Sequence, residues 1–125
     1  MPRTVLIVED ADTCSATLEI AFLRLENVVT RPATAREALR ILADRNQTVC
    51  AIVTDLHMPG MDGFELIEQV RAGHRTSELP IIVVSGDSDP GTPDRVRKLG
   101  ANAYFAKPYS PSAVRQALEG LIHVP

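Results

Sequence analysis

Tryptophan is missing from this chain of 125 residues, and its aromatic rings are two tyrosines and three phenylalanines, 4% of the total. A core drawn from such a sequence must be aliphatic, built from Val, Ile, Leu and Ala. Cysteine is scarce as well: Cys14 and Cys50 are too few and too far apart for a disulfide framework or a zinc cluster. No apolar run approaches the roughly 20 residues of a membrane span. The start, Met1-Pro2-Arg3-Thr4, passes into a short apolar stretch without the longer apolar region and small-residue cleavage site of a secretory signal. Positive charge is in deficit, with 13 Lys and Arg against 16 Asp and Glu, a net −3. A surface that neutralises many phosphates needs the opposite balance, so neither direct nucleic-acid binding nor membrane attachment is expected. The implied setting is cytoplasmic and reducing.

The remaining composition is that of an ordinary globular protein, 45% hydrophobic and 23% charged, and the length suits one domain over residues 1–125. β-branched runs recur at Thr4 to Val8, Asn27 to Arg31, Val49 to Asp55, Ile81 to Ser85 and Ala103 to Ala106. The third and fourth are apolar on successive residues instead of alternating. A strand of that kind must be covered on both faces, which predicts a parallel sheet between two layers of helices.

Helix signals fill the gaps between these runs. Asp12 is placed to cap a first helix whose stripe is Cys14, Leu18, Ala21, Phe22 and Leu25. Thr34-Ala-Arg-Glu37 reads as a capping box. Asp62-Gly-Phe-Glu65 has the same logic, with Leu66, Ile67 and Val70 facing inward. Thr92-Pro93 and Ser110-Pro111 each set a cap before a proline at the first helical position. Gly100 suits a left-handed helix end. The stretch from Gly86 to Thr92 is the least regular, shortens the fourth helix to about two turns, and is expected to stay mobile until the protein is modified. The sum is an α/β fold, a doubly wound sheet with right-handed crossovers.

In such sheets ligands bind beyond the carboxyl ends of the strands, where the strand order reverses. The residues at those ends are Glu9-Asp10, Asp55, Ser85 and Lys107. Clustered carboxylates repel one another unless a cation sits among them. Hard oxygen donors select Mg²⁺ or a similar ion, which takes one or two carboxylates, waters and a phosphate. Lys107 supplies a point charge for a phosphate oxygen and Ser85 a neutral donor. Together they describe a site for one phosphoryl group and one divalent metal.

These residues carry a family resemblance. The acidic pair Glu9-Asp10, the segment Asp55-Leu-His-Met-Pro-Gly-Met-Asp-Gly63, Ser85-Gly86 and Tyr104-Phe-Ala-Lys107-Pro108 resemble, in order and spacing, a receiver domain of the two-component response regulators, over essentially the whole chain. The resemblance implies a five-stranded flavodoxin-like sheet of order 2-1-3-4-5, the order that the chemotaxis member of that family exemplifies. It implies Asp55 as the acceptor of a phosphoryl group from the phosphohistidine of a sensor histidine kinase or phosphotransfer protein. Mg²⁺ or Mn²⁺ would be held by Asp10, Asp55, the backbone carbonyl of His57 and, through water, Glu9. Lys107 would pair with the phosphate, Ser85 and the Gly86 N–H would donate to it, and Lys107-Pro108 would be cis. Ser85 and Tyr104 would form the switch that reshapes the surface of the fourth helix, fifth strand and fifth helix. That surface would serve a downstream protein or a linked output domain, with the chain a monomer or a phosphorylation-dependent dimer. It would assist its own modification without being an enzyme toward other substrates.

Plainer readings stand beside several of these roles. Tyr104 suits a half-buried core position as well as a switch. His57 and Asp87, two residues past Asp55 and Ser85, are either solvated loop side chains or tuners of phosphate lifetime. Asp62 and Gly63 are explained by capping and backbone freedom, His74 and His123 by surface exposure, and Cys14 and Cys50 by small core positions. A phosphatase of the haloacid dehalogenase kind would want an acid where His57 stands and a cap domain that this length does not accommodate. A flavodoxin would want a hydroxyl- and glycine-rich first loop in place of Glu9-Asp-Ala-Asp-Thr. The native-looking Met1-Pro2-Arg3 favours an N-terminal or stand-alone receiver.

Overall fold

Strand and helix alternate from β1 (Arg3–Val8) through α1 (Asp12–Phe22), β2 (Val28–Ala33), α2 (Ala35–Ala43) and β3 (Val49–Thr54). The alternation continues with α3 (Gly63–Ala72), β4 (Ile81–Ser85), α4 (Thr92–Leu99), β5 (Ala103–Ala106) and α5 (Pro111–Ile122). The computed structural model describes residues 3–9, 12–44 and 46–122, and at 12–14 the backbone alone. Cys14 as a core side chain and His123 as a surface one therefore lie outside the described residues. The sheet is parallel throughout, in the order β2-β1-β3-β4-β5.

Every residue of β4 is buried, as are the last four of β3. Their unbroken apolar runs meet helices on both faces. Val5, Ile7, Val53 and Val84 pack with Leu18 and Phe22 of α1 and Val114 and Leu118 of α5. Leu6, Val8, Ile52 and Val83 face the other way, toward α2, α3 and Val96 of α4. Each fully buried aliphatic side chain contributes about 1.5–3 kcal/mol. Half-buried Cys50 packs at the margin of the first cluster, and His74 is exposed, both as expected.

The capping box of α2 is complete: Glu37 N–H donates to Thr34 Oγ1 at 3.1 Å, and Thr34 N–H donates to Glu37 Oε1 at 3.0 Å. Asp62 accepts from Glu65 N–H at 2.9 Å, and Ser110 Oγ from Ala113 N–H at 3.3 Å. Gly100 takes the left-handed conformation, φ 118°, and ends α4.

Some local expectations change. β2 runs on to Ala33 through Pro32, because an outermost strand tolerates a proline. α1 spans Asp12–Phe22, the Asp12 side chain expected as its cap lies outside the described residues, and the helix stops at Phe22, leaving Leu25 to reach the core from the turn beyond. Thr92 does not cap α4; that place belongs to Gly91, with Thr92 buried inside the first turn. Arg71 at the end of α3 donates twice to the Gly100 carbonyl, at 3.0 and 2.8 Å, and once to Thr76 O, tying α3 to the end of α4. No helix among the described residues is long and apolar enough to cross a membrane.

Candidate functional site

Register decides which residues arrive together. Val8 pairs with Thr54 across β1 and β3, and Ser85 pairs with Ala106 across β4 and β5. The ladder continues one step past the strands, with Asp55 N–H donating to Val8 O at 2.9 Å and Lys107 N–H to Ser85 O at 2.7 Å. Glu9, Asp55 and Lys107 therefore emerge on one rim, where β1 and β3 leave in opposite directions around the sheet.

Their side chains meet. Lys107 Nζ donates to Asp55 Oδ2 and to Glu9 Oε2, each at 2.8 Å. Asp55 Oδ1 accepts from Leu56 N–H at 2.6 Å. The Glu9 side chain is 1% exposed and that of Lys107 24%, so Glu9 is no ordinary surface acid. Burial alone would lower the pKa of the Lys107 ammonium, but its hydrogen bonds to Asp55 and Glu9 and their charges outweigh that and hold it well above the usual lysine value. Lys107-Pro108 is cis, as expected.

The backbone under Asp55 is fixed by neighbours. Buried Thr54 donates its hydroxyl to Asp55 O at 2.7 Å, and Gly63 N–H donates to Leu56 O at 2.8 Å. A Cβ on Gly63 would collide with the Asp55 carbonyl and the Leu56 Cα. Gly63 is thus required by close approach, and backbone freedom is not the reason for it. The sequence hinted at Thr54, a lone hydroxyl in an apolar run, but held no sign of this contact.

A second group lies beside the first. Ser85 is fully buried, and its Oγ accepts from Asp87 N–H at 3.1 Å. Tyr104 is half-buried and donates its phenol to Asp87 O at 3.4 Å; burial and then the Asp87 charge raise its pKa. Asp87 Oδ2 meets His57 Nε2 at 2.8 Å, and Asp87 Oδ1 accepts from Asp89 N–H at 2.8 Å. The Asp89 amide first, and then His57, hold the Asp87 carboxyl below the usual range. The loop expected to be mobile is therefore laced by side-chain bonds to its own backbone. Gly86 is exposed, with no neighbour that a Cβ would meet within 4 Å.

The donor set suits a hard cation: two carboxylates converge on one positive centre, here the ammonium, with oxygen donors only. Asp10 lies outside the described residues. Among the described residues no group of three or more His, Cys, Asp or Glu side chains is arranged around a metal position.

An open parallel sheet carrying an acid–lysine pocket at its topological switch point defines the class of protein. Residues 5–119 match the response regulator receiver domain family, and the chain belongs to that family. It is 34% identical to the two-component response regulator ARR14 of Arabidopsis thaliana over 94% of its own length, but covers only 30% of that longer protein. The CheY homologue of Campylobacter jejuni is 30% identical, with 94% of this chain and 91% of that one aligned. A crystal structure assigned as a response regulator of Chloroflexus aurantiacus superposes with a TM-score of 0.85 at 32% identity, covering 98% of both chains.

Proposed function

We propose that residues 1–125 form one receiver unit that accepts a phosphoryl group on Asp55 from the phosphohistidine of a sensor kinase or phosphotransfer protein. The observation that supports this most is the Lys107 ammonium held 2.8 Å from both Asp55 and Glu9. A carboxylate oxygen of Asp55 attacks phosphorus, the P–N bond to the donor imidazole breaks, and the donor histidine keeps the electron pair. The product is an acyl phosphate on Asp55. Phosphoryl transfer has a loose transition state, so the protein's task is positioning and charge neutralisation.

Lys107 is already desolvated, charged and aimed at the acceptor. It needs only to exchange a carboxylate oxygen for a phosphate oxygen. Ser85 and the Gly86 N–H donate to the same group. A divalent cation, Mg²⁺ or Mn²⁺, held by Asp10, Asp55, the His57 carbonyl and Glu9 through water, would supply further neutralisation. His57, and not an acid, follows two residues after Asp55, which disfavours a phosphatase of the haloacid dehalogenase kind. His57 and Asp87 flank the acceptor and set how long the acyl phosphate survives.

Phosphorylation adds nearly two negative charges. Ser85 then turns toward the phosphate, Tyr104 repacks, and the surface of α4, β5 and α5 is presented to a downstream partner or output domain. The chain is read as a cytoplasmic switch that assists its own modification. Incubation with acetyl phosphate and Mg²⁺, followed by mass spectrometry, is the test. One phosphoryl group mapping to Asp55 and lost in Asp55→Asn supports the reading; equal labelling in that variant rejects it.

A further inference from the structure

The segment that reads as irregular is a staircase of identical steps. Ser85 Oγ accepts from Asp87 N–H at 3.1 Å, Asp87 Oδ1 from Asp89 N–H at 2.8 Å, and Asp89 Oδ1 from Gly91 N–H at 2.9 Å. Each side-chain oxygen caps the amide two residues on, a turn that Ser and Asp are built to make. The top step is the buried hydroxyl of Ser85, and the bottom step is Gly91, the residue that caps α4.

The middle step is held from outside. Asp87 Oδ2 meets His57 Nε2 at 2.8 Å, joining the loop after β4 to the loop after β3. The Thr92 hydroxyl, in the first turn of α4, adds to the Asp89 amide and His57 in holding the same carboxyl below the usual range. The His57 ring stands edge-on to Phe64 of α3 at 6.3 Å, and the Arg95 guanidinium of α4 lies 3.8 Å over that same Phe64 ring. His57, Asp87, α4 and Phe64 therefore close a ring beside the acceptor. His57 is 63% exposed, so burial does not fix its imidazole; these contacts do.

We infer that Asp87, clasped by His57, is a positioning residue that holds the Ser85 hydroxyl and the start of α4 in the resting arrangement. Ser85 Oγ is occupied as the acceptor of the Asp87 amide. Turning it toward a phosphate on Asp55 strains or breaks the first step, and the strain passes to Asp89, Gly91 and the α4 N-terminus. The clasp opposes that movement. A phosphoryl group shifts the resting equilibrium only by its differential interaction with the two arrangements, so loosening the clasp favours the phosphate-bound one. This goes beyond the proposed function and rests on it only for the meaning of the moved state.

The test begins with the unmodified protein, where the clasp can be judged without any phosphoryl chemistry. His57→Ala leaves all three steps of the staircase in place and removes the grip from the loop after β3, while the Thr92 side remains. Amide exchange at Asp89, Gly91 and Thr92 is expected to accelerate roughly three- to tenfold, the range for one partly exposed charged hydrogen bond. Exchange within β1, β3 and β4 stays unchanged. Asp87→Ala should accelerate the same amides further, and the double variant should match Asp87→Ala alone. Unchanged loop exchange in His57→Ala, or additive effects in the double variant, overturns the clasp.

Beryllofluoride with Mg²⁺ then probes the coupling, and His57→Ala is expected to bind it three- to tenfold more tightly than the parent. Equal or weaker binding overturns the positioning role. If the parent itself does not bind beryllofluoride, the proposed function fails, whereas the clasp is still decided by the exchange data.

Discussion

The Lys107 ammonium lies 2.8 Å from the Asp55 carboxylate, although the two residues are 52 positions apart in the chain. Replacing Lys107→Met leaves Asp55 and Glu9 facing each other without their shared counter-charge. A surface ion pair is worth about 0–1 kcal/mol and breaking a buried one costs about 3–5 kcal/mol; this partly covered pair should cost about 2 kcal/mol. Urea denaturation in metal-free buffer at neutral pH measures it. On the lysine side the contribution is complete below the ordinary 10.5 and fades only as pH rises through the elevated folded value. An unchanged urea midpoint would show that the bridge carries no net stability.

Two glycines should respond to alanine with opposite signs. Gly63→Ala forces a methyl group into the Asp55 carbonyl, and is expected to cost toward the upper end of the about 1–3 kcal/mol typical of overpacking. It should also slow labelling by acetyl phosphate, since the backbone of the proposed acceptor must shift. Gly120→Ala, on the exposed side of α5 with nothing within 4 Å, should stabilise by about 0.5–1 kcal/mol. Thermal melts of the two variants against the parent decide both.

The capping box of α2 gives a pH signature. Thr34→Ala should cost about 1 kcal/mol, the usual value of an N-cap hydroxyl. The hydrogen bond from the Thr34 amide, followed by that from its hydroxyl, lowers the pKa of Glu37 from 4.5. The contribution of the Glu37 carboxylate is therefore present above 4.5 and lost as pH falls through the lower folded value. Urea midpoints of the parent and Glu37→Gln should converge below that point and separate above it.

Arg71→Leu should loosen the far end of α4. Its guanidinium serves Gly100 O, Thr76 O and Asn102 Oδ1 at 2.8 to 3.1 Å, and the apolar replacement removes those donors, leaving Thr76 O to the Leu79 N–H and Asn102 Oδ1 to the Ile81 N–H. A hydrogen bond to a charged group is worth about 1.5–3 kcal/mol, and losing this shared set should cost about that much once. Amide exchange at Ala101 and Asn102 should rise while the Asp87 staircase keeps its protection. Equal deprotection at both ends of α4 would refute the separation.

Much of this architecture was legible because its signals are local. The unbroken apolar runs of β3 and β4, the Thr34–Glu37 box and Gly100 each report a conformation within a few residues. The rim of Glu9, Asp55, Ser85 and Lys107 was legible for another reason: in a parallel sheet, strand ends gather by topology. What stayed hidden depends on distance. Nothing in the sequence announces that Arg71 reaches Gly100, that Arg95 covers Phe64, or that Gly63 lies against Asp55. The 86–92 stretch is the loop its composition suggests and leaves α4 at eight residues, but its Ser, Asp and Gly residues did not reveal the order within that loop. Only the i to i+2 spacing of Ser85, Asp87, Asp89 and Gly91 could have shown it. Thr92 was taken for a cap because it precedes Pro93, yet the helix opens one residue earlier, at Gly91.

Lys107 directly follows β5, a strand of four residues at the margin of the sheet, whereas Asp55 follows β3 at its centre. The counter-charge is thus mounted on an outer plank and the proposed acceptor on the keel. A ligand that pried β5 loose by a few ångströms would silence the proposed phosphoryl acceptance while leaving Asp55 untouched, a route to inhibition that avoids competing for the acidic pocket itself.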